Sequence, residues 1–210
     1  KLILAYMIMA LVPLIALTGV VIVQTQGEIR TLVNTNLRDQ TERIAEAIDG
    51  SLSQLTKDLN GLAVNPSIEQ MVVVRPTNIV RELGLEDKTI AEMEIIMDET
   101  RNLETNIRTQ EYLQTTVSDF RSFSELIVVN LDGMVIGATG RPDRFMHIDE
   151  PWFQYTLEYD TYIGDIQQLP GKNEPGIVIA TVINRTATGR PAGVIRGLVP
   201  LGFITEGLVS

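Results

Sequence analysis

Residues 123–138 read FSELIVVNLDGMVIGA, and this stretch decides the fold. Two runs rich in Val and Ile, Phe123 to Val129 and Met134 to Ala138, flank Asn130-Leu131-Asp132-Gly133. β-Branched side chains suit a pleated, buried surface, and a four-residue loop ending in glycine supplies the positive φ that turns one strand back on the other. The reading is an antiparallel hairpin. Strand-like runs recur at Tyr162 to Leu169, Gly176 to Asn184 (GIVIATVIN) and Ala192 to Leu201, separated by turn residues at Pro170-Gly171 and Thr188-Gly189-Arg190-Pro191. Between hairpin and strands, IDEPWF (148–153) has the marks of a helix start: Asp149 as cap, Pro151 in the first turn, and Ile148 stapling onto Phe153. That helix ends near Tyr159. Five strands behind a helical region give an α+β fold with one antiparallel sheet and helices on one face.

Upstream the period is helical. Apolar residues at Ile44, Ile48, Leu52, Leu55, Leu59 and Leu62 fall on one stripe near heptad spacing, so a long helix is expected over 28–63. Its stripe packs on the domain's own helices or pairs with a second copy. Asn65-Pro66 stops it, Ser67 starts a short helix through Val72, and Arg75-Pro76-Thr77-Asn78 and Gly84 read as turns. A second long helix is expected from Lys88 to Asp119. Ahead of all this, Leu2 to Val23 is an uncharged run of 22 residues. As a helix it measures about 33 Å against a hydrocarbon core of roughly 30 Å. No small-x-small cleavage site follows it, so it reads as a membrane anchor. The expected organisation is an anchor at 1–26, a long helix and helical region at 27–119, the sheet domain at 120–202, and the start of a connecting helix at 203–210.

Composition excludes more than it assigns. A net charge of −10 argues against nucleic acid, whose phosphates it would repel. The absence of cysteine removes thiolate metal sites and cysteine nucleophiles. His147 is the only histidine and, lying between turn residues, reads as a solvated loop side chain. No G-x-S-x-G, H-E-x-x-H or phosphate-loop pattern occurs. No enzyme activity, cofactor or metal is expected. What stands out is aromatic: Trp152, the only tryptophan, is followed by Phe153, Tyr155, Tyr159 and Tyr162. Such a cluster serves a core or lines a small-ligand pocket, where each Trp or Tyr offers an apolar body and one polar handle. On one short helix Trp152, Tyr155 and Tyr159 share a face.

In this order FSELIVVNLDGMVIGA, DEPWFQ (149–154), YIGDI (162–166), GIVIATVIN and GVIRGLVPL (193–201) resemble the PAS-like Cache sensor domains of chemoreceptors and sensor kinases. That resemblance implies a sheet that cups a small ligand outside the cell and a long helix that carries the signal inward. It also implies a helix after Pro200 that leads into a second module. The receptor would sit in the inner membrane with 28–210 extracytoplasmic, as a homodimer. Glu150, Trp152, Phe153, Tyr155, Tyr162, Asp165 and Thr181 are the expected ligand-binding residues. Members that bind amino acids carry an arginine two residues before the tryptophan; here that place holds Glu150. An α-carboxylate would meet a like charge, whereas an amine would find Glu150, Asp165 and the rings as acceptors. An amine, quaternary ammonium or other small metabolite is therefore the expected ligand. Two other readings stay open at this stage: a structural, dimerising spacer, and a hydrolase using paired acids.

Overall fold

The computed structural model describes residues 35–100, 107–169 and 172–206, and the chain divides into two compact units, 1–47 and 48–210. In the first unit residues 35–47 are helical, with Leu37 and Ile44 exposed. The expected anchor, Leu2 to Val23, lies outside the described residues, as do the Pro170-Gly171 turn and the last four residues. Among the described residues no helix is long and apolar enough to cross a membrane.

The second unit opens with helix α1 (48–63), on which Leu55, Leu59 and Leu62 are buried. From 55 onward, then, the stripe read from the sequence faces the domain's own core. Asn65 caps the next helix, α2 (Pro66–Leu83), accepting from the Ser67 N–H at 2.9 Å with Pro66 in the first turn. This helix was expected to stop at Val72. It runs instead through Pro76 to Gly84, whose φ of 60° closes it. An interior proline costs about 3 kcal/mol, but Ile68, Met71, Val72 and Ile79 line up on one buried stripe. Burying those four side chains, at roughly 1.5–3 kcal/mol each, outweighs the lost hydrogen bond. Helices α3 (Ile90–Thr100) and α4 (Ile107–Phe120) take the place of the second long helix, with 101–106 outside the described residues.

The hairpin forms as read. Strands β1 (Glu125–Asn130) and β2 (Val135–Ala138) pair antiparallel. In the loop Gly133 has φ 80°, and the Asn130 side-chain oxygen accepts from the N–H groups of Asp132 and Met134 at 3.1 and 2.8 Å. Helix α5 (Pro151–Tyr159) follows. Its N-cap is Glu150, one later than expected, and no side chain caps it. The expected third strand is broken into β3 (Thr161–Ile163) and β4 (Gln167–Gln168), both paired to β5 (Pro175–Asn184). Strand β6 (Pro191–Pro200) completes an antiparallel sheet in the order β2-β1-β6-β5-β3, with β4 also on β5. A short helix, α6 (Leu201–Glu206), comes last.

Residues 177–183 of β5 and 192–199 of β6 are buried without a break, which requires cover on both faces. The expectation of helices on one face is thus corrected. Thr181 donates to Asn60 of α1 at 2.5 Å, and a Cβ on Gly193 would meet Val72 of α2 at 2.8 Å. These contacts place α1 and α2 on the face of Thr181, Ile195 and Gly193. The opposite face, carrying the paired residues Ala180 and Arg196, is covered by α5 and the 139–150 loop.

Candidate functional site

On that second face β6 presents Arg196, which is 2% exposed. A guanidinium keeps its charge at any depth, so burial demands partners. One Nη2 donates to Glu125 of β1 and to Asp143 of the 139–150 loop, both at 3.3 Å. The guanidinium carbon also lies 5.1 Å from the Trp152 ring centre, within cation–π range. His147, also from the loop, meets the same ring edge-on at 5.2 Å. Four elements converge here: β1, β6, α5 and the loop between β2 and α5. Two carboxylates face one guanidinium, so the cluster is electronegative.

His147 is 1% exposed, which overturns its reading as a solvated loop side chain. The loop is not on the surface there: its backbone N–H donates to Gly133 O at 2.7 Å. Neither ring nitrogen of His147, nor Nε of Arg196, makes a well-formed hydrogen bond among the described residues, although the Arg144 backbone lies close enough to favour the imidazolium slightly. Burial, aided by the Arg196 charge, lowers the His147 pKa to about 4, so the ring is neutral at pH 7. Burial raises the Glu125 carboxyl above its ordinary value, with Arg196 pulling the other way.

The residues expected from the sequence separate into groups. Trp152 and Phe153 are buried and meet edge-to-face at 5.8 Å. Tyr155 and Tyr159 stack on each other at 4.5 Å but are half exposed; the face shared on α5 is therefore not the buried one. Tyr162 is half-buried and packs on Leu169, Val178 and Leu198. Glu150 accepts from Arg144 at 2.5 Å, and Arg144 also binds Asp149 at 3.0 Å. Asp165 is exposed. Thr181 points to the opposite face, against Asn60. Glu125 and Arg196 were not anticipated. The available signal was a lone charge in each of two otherwise apolar runs, FSELIVV and AGVIRGLV. A charge in a strand buried on both faces must be paired.

The fold is shared with the ligand-binding domains of chemoreceptors. One solved example is that of Campylobacter jejuni chemoreceptor Tlp3 in complex with 4-methylisoleucine, at 12% identity and TM-score 0.53, covering 82% of this chain and 60% of that one. Another is that of Pseudomonas fluorescens CtaA with L-serine, at 17% identity and TM-score 0.52, covering 85% and 64%. The E. coli DcuS sensor domain matches at 11% identity and TM-score 0.52, over 79% of this chain and 99% of that one. The chain thus spans under two thirds of the two chemoreceptor domains. No family model matches the chain, and no curated protein matches it. The shared fold agrees with the Cache resemblance read from the sequence.

Proposed function

We propose that residues 48–210 form the small-molecule sensing unit of a transmembrane signalling receptor, held outside the cytoplasm by the apolar segment 2–23 and without catalytic activity of its own. The observation that carries this reading is the charged cluster Arg196–Glu125–Asp143 beneath Trp152, on the sheet face turned away from α1. Buried ionic groups are a costly way to build a core, and clustered ones beside an aromatic mark binding sites. Exposed Leu37 and Ile44 supply an apolar seam for homodimerisation through the first unit.

The preferred ligand is a small amine. Glu125 and Asp143 outnumber Arg196, and Glu94, Asp149 and Glu150 surround Arg144, so the region has an excess of acceptors. Trp152 already carries one cation on its ring. Glu150, spent on Arg144, serves this reading as part of the acidic rim, together with Asp165, and Tyr162 as an aromatic wall; Thr181 belongs to the other face and drops out. The test is a thermal-shift panel of amines, L-amino acids, organic acids and purines on the full chain. A ligand at 100 times its Kd adds about 2.7 kcal/mol, or several degrees. Amines are expected to give the large shift; a shift confined to carboxylic acids refutes the amine, and a flat panel removes the sensing reading.

A further inference from the structure

We propose that the Arg196 cluster is an acid-released latch, in which protonation of His147 frees α5 and its loop from the sheet. The idea deepens the reading of this face as the ligand side, and rests on it for one consequence only: acid would unseat whatever binds there. The latch itself stands on geometry. His147 wedges against Trp152, the residue through which α5 touches Arg196. Both its ring nitrogens are buried without a well-formed hydrogen bond among the described residues, and the nearby Arg144 backbone, which favours the imidazolium, is the weakest of the influences on the ring. A proton taken up by His147 would also share the Trp152 ring with the Arg196 guanidinium.

The charged groups around His147 come from every neighbouring element. Asp143 and Asp149 lie on its own loop beside Arg144, Arg196 on β6, and Glu125 on β1 next to Arg196. Glu94 of α3 holds the loop by accepting from the N–H groups of Phe145 and Met146 at 2.9 and 2.8 Å. Asp143 favours the imidazolium, but burial and the two arginines outweigh it, and the closed ring titrates at about 4. Once α5 and the loop lift away, the ring regains its ordinary value of 6.5. Acidification from pH 6.5 to 4 therefore multiplies the open-to-closed ratio by up to about 80-fold. Glu125 acts oppositely, because burial raises its closed-state pKa, and it trims that factor.

Hydrogen exchange on the full chain reads this ratio directly, from α5 amides compared with those of β5 and β6 between pH 6.5 and 4, corrected for intrinsic rates. The latch requires α5 to exchange faster than the central strands at every pH. Its protection must also fall by tens-fold on acidification in the wild type and must not fall in His147→Phe. Because the ring nitrogens make no well-formed hydrogen bond, the phenylalanine retains the edge contact at little cost; His147→Leu serves if it does not fold. Equal protection in α5 and the central strands overturns the proposal, as does an acid response that persists in both variants. A flat ligand panel at pH 7 bears on the sensing reading alone and leaves the exchange result standing.

Discussion

Replacing Arg196 by Met isolates what the buried ion cluster does. In the wild type Arg196 and Glu125 are both nearly inaccessible, with side chains 3% and 9% exposed. Met fills a similar volume, so the substitution removes charge more than packing. It leaves Glu125 as an uncompensated buried carboxylate, and breaking such a pair costs roughly 3 to 5 kcal/mol. With a urea slope of roughly 2 kcal/mol per molar, the unfolding midpoint at pH 7 should drop by about 2 M. The double variant Arg196→Met/Glu125→Gln removes the stranded charge and should recover more than half of that loss, a coupling that two independent sites would not show. The pH dependence has a definite sign. Without Arg196 the burial effect on Glu125 is unopposed, so the folded chain binds a proton that the unfolded chain releases at the ordinary carboxylate value. Relative to the double variant, which carries the same His147 slope, the single variant should therefore gain stability as pH falls from 7 to 5. A loss below about 1 kcal/mol for Arg196→Met, the range of surface positions, or a double variant no better than the single, would refute the account of Arg196 as a buried, paired charge.

Trp152→Ala should cost roughly 3 to 5 kcal/mol, the range for a buried large aromatic, measured by urea or thermal unfolding; under about 1 kcal/mol would mean that Trp152 does not pin α5 to the sheet. His147, held near 4 in the fold, contributes stability that is full above about pH 6.5 and is lost as pH falls toward 4. The loss totals roughly 3 kcal/mol, and a His147→Phe chain lacking that slope is the expected control. Alkaline phosphatase fused after residue 205 should be active and a cytoplasmic reporter at the same point inactive; the reverse result would place the unit inside the cell.

Much of this fold was legible because local chemistry and tertiary packing agree. The Asn130–Gly133 loop is set by an Asx-type side chain and one positive-φ glycine, both of which act within a few residues. The apolar run at 176–184 read directly as a strand, and the spacing of Leu55, Leu59 and Leu62 marked an apolar stripe on α1, though neither showed what would cover it. Where the two levels disagree, packing prevails. Pro76 signals a turn, yet the buried stripe from Ile68 to Ile79 carries α2 straight through it. The α5 aromatics share a face by spacing, but the sheet takes Trp152 and Phe153 and leaves Tyr155 and Tyr159 outside, since only the helix's rotation on the sheet decides which edge is covered. The site was the least readable part. Glu125, Asp143, His147, Trp152 and Arg196 come from four elements and stretch over 72 positions of sequence. No short-range spacing can record that they meet; chain order shows only that charges occur in apolar strands and must find partners, and the register of β1 on β6, with α5 laid across it, determines which ones they find.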